Sequence, residues 1–180
     1  MALISEDAEH LARLLLLVDA FGQATGTGLD GLTKLAKLDF LLRYPGFLQS
    51  LLAKQHIAAM VDLADHELQA ISDPMIRYRY GPWDNRYYEL LGGLVGRGLV
   101  EYVKGRGRVS FRATTSGQQI ASDLRGSPEW STIVRRIQLL HEHFDIGGTQ
   151  LKKLIYDSFP ALVALPWRAV IQPAPDGESA

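Results

Sequence analysis

The chain has 180 residues, a net charge of −1 and no cysteine. This length fits one domain, and 47% hydrophobic residues is normal for a globular protein and excludes general disorder. The lack of cysteine excludes disulfides, thiol catalysis and zinc-thiolate sites and suits a reducing compartment. No segment approaches the ~20 apolar residues of a membrane-spanning helix, and the first residues lack the basic region of a secretory signal. We therefore expect a cytoplasmic protein without membrane contact.

Two helices are predicted in the first quarter of the chain. Apolar residues recur at helical spacing between Leu11 and Phe21. After a glycine-rich loop, a second helix is predicted over Leu32 to Arg43, with its leucines on the side that packs against the core. Lys34 and Lys37 fall on the other side, so we expect both to face solvent.

The next stretch is predicted to alternate between helices and an extended connector. Pro45 ends the second helix, because proline disfavours the helical conformation of the residue before it, and a third helix is predicted from Phe47 to about Ala59. Met75 to Trp83 is rich in aromatic residues and contains a Gly-Pro turn, which predicts an extended, partly buried segment. Asp84 is predicted to cap a helix that runs to Arg97, and Gly98 ends that helix.

A β-hairpin follows. Leu99 to Val103 is rich in β-forming residues, Lys104 to Gly107 is typical of a turn, and Arg108 to Arg112 alternates polar with apolar residues. The segment from Pro173 to Ala180 is predicted to be a flexible tail. Between the hairpin and the tail, three further helices are predicted, from Thr114 or Thr115 to Leu124, from Trp130 to Phe144 and from Thr149 to Ser158.

The order of helix, strand, basic turn, strand and helix is typical of a winged helix-turn-helix. The hairpin at about residues 99–113 would be the wing, and the helix Asp84–Arg97 would be the one that enters the major groove of DNA. We therefore predict a mainly α-helical fold with a small β-hairpin, in which a winged helix-turn-helix core is flanked by N- and C-terminal helices. One domain at residues 1–172 would hold all of these elements, followed by the tail at 173–180.

The charge pattern favours weak contact with nucleic acid over the reading of bases. Between Arg97 and Arg125 there are six basic residues and two acidic ones. The basic residues of the wing that could contact phosphate groups are Lys104, Arg106, Arg108 and Arg112. Base readout needs Arg, Lys, Asn or Gln reaching from the helix, whereas the helix before the wing contains Gly92, Gly93 and Gly96. A glycine costs a helix up to ~1 kcal/mol relative to alanine, so we expect these glycines to admit the close approach of another backbone.

No catalytic or metal-binding constellation emerges from the sequence. His141, Glu142 and His143 precede Asp145, but positions two apart on a helix do not face each other, and no further ligand stands at a useful spacing. The glycines between Gly92 and Gly98 lie within a helix and lack the order of a dinucleotide-binding motif. We therefore expect no enzymatic activity, no cofactor and no metal ion.

An aromatic cluster near residue 80 allows two interpretations. It could form a core whose polar tips are hydrogen-bonded, or an interface, since Tyr, Trp and Arg are enriched in interface hot spots. The aromatic residues are Tyr78, Tyr80, Trp83, Tyr87 and Tyr88, and Arg77, Arg79 and Arg86 are interleaved with them.

Two long motifs stand out from the rest of the chain. The first is KLAKLDFLLRYP at residues 34–45, and the second is MIRYRYGPWD at residues 75–84, followed by Tyr87-Tyr88, Gly98-Leu99-Val100 and Thr115-x-Gly117. Together these blocks resemble the small middle component of bacterial ABC-three-component systems, which are related to Lamassu-type antiphage defence systems. The resemblance covers under a third of the chain.

The resemblance implies a non-enzymatic winged-helix subunit in a multi-protein complex. Such a subunit would lie between an SMC-like ATPase and an effector, often a nuclease, and would help to couple DNA sensing to release of the effector. The residues of the two motifs that we expect to bind these partners are Lys37, Asp39, Arg43, Tyr44, Arg77, Tyr78, Arg79, Tyr80, Trp83, Asp84 and Tyr88.

Two other functions stay open at this point. A winged helix that dimerises through its terminal helices could be a DNA-binding transcription regulator. An antitoxin-like binder of a single partner is a third possibility. The sequence alone does not separate these three hypotheses.

Overall fold

The computed structural model describes residues 6–23, 28–69, 73–79, 81–104 and 109–173. The predicted site residues Tyr80, Arg106 and Arg108, and nearly all of the predicted tail, lie outside this part of the chain. The described part is mainly helical and contains two small antiparallel sheets. Its strands are β1 (Leu29–Asp30), β2 (Ile76–Tyr78), β3 (Gly81–Trp83), β4 (Val100–Lys104) and β5 (Val109–Ala113). Its helices are α1 (Glu6–Gln23), α2 (Leu32–Arg43), α3 (Pro45–Lys54), α4 (Asp65–Gln69), α5 (Tyr87–Gly96), α6 (Thr115–Gly126), α7 (Ser131–Phe144), α8 (Gly148–Ser158) and α9 (Pro160–Ala164).

Helix α2 has the predicted bounds and runs through the middle of the molecule. Its residues 34–42 are all buried, as expected for a helix that is packed on every side. The prediction that Lys34 and Lys37 face solvent is wrong, because α8 packs against that side of α2. Gly148 lies so close to α2 that a Cβ there would stand 3.1 Å from the backbone nitrogen of Lys34.

Helix α3 differs from its predicted bounds at both ends. It begins at Pro45, where the fixed φ of proline suits the first turn of a helix and the missing N–H leaves no donor unpaired. It ends at Lys54 because His56 takes a φ of 57°, a left-handed conformation that interrupts a right-handed helix. The predicted helix to Ala59 is therefore several residues too long.

The predicted extended segment between Met75 and Trp83 is present as a second small sheet. Strands β2 and β3 are antiparallel, and Ile76 of β2 also bridges to Val170 near the end of the described chain. Asp84 does not cap α5 in the predicted way, because α5 begins at Tyr87 and the Asp84 carboxylate pairs with arginines.

The predicted hairpin is confirmed and belongs to a three-stranded sheet of order β1-β5-β4. Strand β1 has two residues and was not predicted, since so short a strand leaves no periodicity to detect. Thr114 caps α6 by accepting a hydrogen bond from the backbone N–H of Gly117, 3.1 Å away. In the described chain, one core of apolar side chains extends from α1 to Ile171 and includes residues of most elements, but none of α4 or β2. Among the described residues, no helix combines the length and apolar character needed to cross a bilayer.

The glycines of α5 do not meet another backbone within the chain. A Cβ at Gly92 or Gly96 would have no atom within 4 Å, and one at Gly93 would meet the side chains of Arg97 at 3.1 Å and Leu11 at 3.4 Å. Within the described part of the chain the expected close approach of a backbone is therefore not found, and two of the three glycines face open space.

Gly117 is the glycine on which the hairpin depends. Its missing side chain leaves room for the carbonyl of Leu99, which accepts a hydrogen bond from the Thr114 N–H at 3.0 Å. We predict that Gly117→Ala lowers the free energy of unfolding by about 1–3 kcal/mol through overpacking. Gly126→Ala in the same helix is the matched control, because a Cβ there meets nothing within 4 Å. Urea unfolding of both variants measures the difference, and equal stabilities would contradict this account.

Candidate functional site

The first motif and the end of the second meet in a buried network of charges between α1, α2 and the loop before α5. Three arginines and three aspartates form it, together with a histidine and a tyrosine. We call this set the charge network; its members are His10, Arg13, Asp39, Arg43, Asp73, Asp84, Arg86 and Tyr87. The three positive and three negative charges balance when the histidine is neutral.

Asp39 is the centre of the charge network and has no exposed surface. Its carboxylate accepts hydrogen bonds from Arg13 Nε at 2.6 Å and from the hydroxyl of Tyr87 at 2.8 Å, and Arg43 lies 3.5 Å away. Burial by itself raises the pKa of a carboxyl group, but the arginines and the hydrogen bonds outweigh it and lower the pKa of Asp39. The same burial, together with the Asp39 charge, raises the pKa of Tyr87.

Asp84 connects α2 to the turn that precedes α5. Arg43 donates to its carboxylate at 2.8 Å, and Arg86 donates through its backbone N–H at 2.9 Å and its guanidinium at 3.2 Å. Burial by itself would raise the pKa of Asp84, but the hydrogen bonds from Arg86 and Arg43 outweigh it, so the pKa lies well below its ordinary value. Arg43 also donates to the backbone carbonyl of Asp73. One arginine therefore connects α2 to the residues just before the second motif and to the last residue of that motif.

His10, on α1, connects Arg13 to Asp73 in the charge network. Its Nε2 lies 2.5 Å from a carboxylate oxygen of Asp73, and its Nδ1 lies 2.8 Å from an N–H of Arg13. Since a guanidinium can only donate, Nδ1 must accept, so the ring is neutral and carries its proton on Nε2. Burial and the neighbouring Arg13 charge lower the pKa of His10, in agreement with the neutral form.

Several predicted partner-binding residues are therefore held inside the chain. Asp39 and Tyr44 are fully buried, and Asp84 and the side chain of Arg43 are nearly so. The hydroxyl of Tyr44 accepts from the backbone N–H of Met75 at 2.7 Å and donates to the carbonyl of Ile171 at 3.2 Å. In this structure these groups fix the positions of the elements and are not available on a surface.

Lys37, another predicted partner-binding residue, has a different environment. Its side chain is 1% exposed, and its Nζ has no hydrogen-bond partner among the described residues. Burial, with a smaller effect of the nearby Lys152 charge, lowers the pKa of Lys37 to about 7. The amine lies against Gly81, whose φ of 111° favours glycine; a Cβ there would be 2.8 Å from Lys37 Nζ and 2.9 Å from the hydroxyl of Tyr156.

Two further buried donors are unpaired in the described part of the chain, and one of them, Tyr156, meets Lys37 at Gly81. The hydroxyl of Tyr156 and Nε of Arg77 have no hydrogen-bond partner among the described residues. Arg77 influences the pKa of Tyr156, which burial raises, so the two side chains are neighbours. We call Lys37, Arg77 and Tyr156 the donor cluster. Tyr156 was missed at the sequence level, because no motif surrounds it and only the packing of α8 on α2 brings it to Lys37.

The aromatic residues of the second motif pack on each other at the edge of the β2–β3 sheet. Tyr78 stacks on Trp83 with ring centroids 5.6 Å apart and contacts Trp167 at 4.9 Å, and Trp83 meets the edge of Tyr87 at 5.2 Å. Within the predicted cluster Tyr87 is part of the core, whereas Tyr88 is 72% exposed, and the neighbouring Trp167 is half exposed. Arg79 lies at the surface beside them.

A third region, at the β4–β5 hairpin, is open to solvent and was predicted only at Tyr88. A cavity of about 570 Å³ lies between the hairpin, α5 and the first turns of α2 and α8. Three of its side chains, Tyr88, Tyr102 and Val109, are 72%, 52% and 51% exposed. Gly92 and Gly96 follow Tyr88 at intervals of four residues and are exposed as well. We call Tyr88, Gly92, Gly96, Tyr102 and Val109 the hairpin surface.

The predicted nucleic-acid contacts are only partly described. Lys104 is exposed at the end of β4. Arg112 is bound to Glu101 across the hairpin at 2.8 Å, which reduces the positive charge that it offers to a phosphate. Arg106 and Arg108 lie outside the described residues.

The histidines of α7 do not gather around a common point. His141 is 3.9 Å from Asp145, and His143 is 3.9 Å from Glu142. In the part of the chain that the structure describes, no three His, Asp or Glu side chains come close enough together to hold a metal ion.

Comparison of the chain with protein-family models, with curated proteins and with solved structures gave no match.

The charge network gives a prediction for stability. Removing the Asp39 carboxylate leaves the buried Arg13 without its carboxylate partner, while Arg43 keeps Asp84, and breaking a buried ion pair on one side costs about 3–5 kcal/mol. We expect Asp39→Ala to lower the free energy of unfolding by that amount, or to prevent folding. Asp157→Ala is the control, because it removes a carboxylate from an exposed ion pair with Lys153, and such pairs contribute little. Urea unfolding compares the two, and a similar loss in both would contradict the importance of burial.

Lys37 gives a second prediction, for the pH dependence of stability. Its pKa is about 7 in the folded chain and 10.5 ordinarily, so the unfolded state binds more protons between these values and stability rises with pH by up to about 1.4 kcal/mol per pH unit. Lys37→Met removes this penalty. We expect the variant to be more stable than the wild type at pH 7 and below, with the difference shrinking towards pH 10. Lys153→Met, at an exposed position, should show no such change, and parallel curves for all three proteins would refute the prediction.

Proposed function

We propose that the chain is a non-catalytic accessory subunit whose winged-helix module binds a partner protein. The order α1, β1, α2, α5, β4, β5 and the strand order β1-β5-β4 support the winged helix, with α5 as the helix before the wing and β4–β5 as the wing. Residues 45–86, which hold α3, α4, β2 and β3, would be an insertion between the two helices of the helix-turn-helix.

The observation that carries the proposal is the hairpin surface. Two exposed tyrosines and an exposed valine surround a concave space, and beside them α5 presents glycines with nothing within 4 Å. Exposed apolar patches around a groove are typical of protein–protein interaction sites, and tyrosine is a common hot-spot residue. The glycines would let a partner's backbone approach α5 closely.

The same surface is poorly suited to reading DNA bases. Base readout needs long polar side chains on the exposed face of the helix, and Tyr88, Gly92 and Gly96 occupy that face. Arg86 is engaged in the charge network, and Arg97 donates to the carbonyl of Gly93 on its own helix. Contact with DNA would therefore be made through phosphates, from Lys104 and the wing turn, and it would be weak and dependent on salt.

The identity of the partners follows from the resemblance of the two motifs. It favours a complex in which this subunit lies between an SMC-like ATPase and an effector such as a nuclease, in a cytoplasmic antiphage defence system. On this proposal, the motif residues of the charge network hold the fold together, and the hairpin surface binds the partner.

We predict that Gly92→Leu and Tyr102→Ala abolish assembly without affecting folding. Gly92 has open space around it, so a leucine there would obstruct only a partner. Gly126→Leu is the matched control, since that glycine also lies on a helix and has nothing within 4 Å. The chain would be co-expressed with an SMC-like ATPase of a three-component defence system and recovered by affinity purification, with circular dichroism as the check on folding.

Two results would contradict the proposal. If Gly92→Leu remained fully assembled, the hairpin surface would not be the interface. If the isolated chain bound one operator sequence at nanomolar concentration, the winged-helix transcription regulator would be the better explanation.

A further inference from the structure

Strand β4 lies at one edge of its sheet. The strand order β1-β5-β4 gives it β5 as a neighbour on one side, and no other strand of the described chain pairs with it. An edge strand carries backbone N–H and C=O groups that face away from the sheet and can pair with a strand of another molecule. The ladder between β4 and β5 is unbroken, and β4 contains no proline. Its outer edge is therefore regular enough to take a further strand.

One hydrogen bond shows which residues of β4 point outward. The N–H of Thr114 donates to the carbonyl of Leu99 at 3.0 Å, so these residues form a hydrogen-bonded pair of the antiparallel ladder. Such pairs recur at every second residue, which turns the backbone groups of Glu101 and Val103 towards β5. The residues whose N–H and C=O groups face outward are Val100, Tyr102 and Lys104.

Only part of this outer edge is accessible. Val100 is 2% exposed, so its backbone is covered by the rest of the fold. Tyr102 is 52% exposed, and Lys104 is exposed as well. On the outer side, the backbone of these two residues makes no hydrogen bond to the described chain. Two donors and two acceptors therefore lie open at the edge of the hairpin.

A second copy of the chain is complementary to this edge in one symmetric register. Antiparallel pairing about a two-fold axis matches each outward residue with an outward residue of the other copy. An axis at Tyr102 would need the covered backbone of Val100. An axis at Glu101 or Lys104 would set two like charges directly opposite each other, which is destabilising. An axis at Val103 has neither fault, because it pairs Tyr102 with Lys104 and uses every open donor and acceptor.

We propose that two copies of the chain join edge to edge through β4, antiparallel and with the two-fold axis at Val103. Each Tyr102 exchanges two backbone hydrogen bonds with Lys104 of the other copy, as a hydrogen-bonded pair does. The two sheets become one continuous sheet of order β1-β5-β4-β4-β5-β1. Since the axis is perpendicular to this sheet, both hairpin surfaces lie on the same side of it.

The dimer does not depend on the proposed protein partner. It is formed by the backbone edge of the hairpin and is measured on the isolated chain, whereas assembly with a partner is tested at Gly92 in a co-purified complex. Failure of either experiment therefore leaves the other result standing.

Sedimentation velocity of the isolated full chain, from micromolar to millimolar concentration, tests for the dimer. We expect a monomer–dimer equilibrium in the wild type. Tyr102→Pro removes an outward N–H that is not part of the ladder with β5, so the dimer loses two hydrogen bonds and its dissociation constant should rise at least about tenfold. Tyr102→Phe is the matched control, because it keeps the N–H and should dimerise like the wild type. A wild type that stays monomeric throughout would overturn the proposal.

Disulfide formation tests the register, because the chain has no cysteine of its own. In the proposed dimer the two copies of Val103 form a non-hydrogen-bonded pair with Cα atoms about 4.5 Å apart, a separation that a disulfide can span. Val103→Cys should therefore cross-link the dimer on oxidation. This readout holds even if Tyr102→Pro fails to fold.

Glu101→Cys is the matched control for the cross-link. Residue 101 lies on the same face of β4, and its side chain is 47% exposed, whereas Val103 is half-buried. Random collisions would therefore favour the control. In the proposed register the two copies of residue 101 are four positions apart, about 13 Å along the strands, so no disulfide should form. Equal cross-linking of the two variants, or cross-linking only in a mixture of both, would overturn the proposed pairing.

Discussion

The fold depends on one buried carboxylate. Asp39 lies in the middle of the central helix with no exposed surface, and it is tolerated there because Arg13, Arg43 and Tyr87 all donate to it or lie against it. An unpaired charge at that depth would be strongly destabilising. The arginines in turn bring Asp73 and Asp84 into place, so that α1, α2 and the segment before α5 are joined through a balanced set of charges, which the apolar core surrounds.

This arrangement explains the character of the two motifs. Charged and aromatic residues at close spacing suggest a surface that binds partners. Most of those at residues 37–45 of the first motif, and several at residues 77–84 of the second, are instead buried or half-buried. The members of the charge network have the chemistry of a polar core: each carboxylate is paired with an arginine, and the buried hydroxyl of Tyr87 is hydrogen-bonded. The residues free to meet other molecules are those that the network leaves out.

Two regions are left out, and they differ in chemistry. The hairpin surface is apolar, exposed and concave, which suits a protein partner. The donor cluster is polar, and its unpaired donor atoms are buried.

The sequence by itself determined the local structure: α2, the hairpin and the cap at Thr114 follow from apolar spacing, β-forming residues and side-chain chemistry within a few positions. The sequence did not show that both sides of α2 are buried. The leucines predict one buried face, but the other face is covered by α8, which lies more than a hundred residues further along the chain. The burial of Lys37 and Asp39 therefore came only from the tertiary structure, as did the meeting of Lys37 with Tyr156 at Gly81. The physical reason is that an ion pair or an unpaired donor is defined by distance in space, and residues far apart in the chain are brought together only by packing.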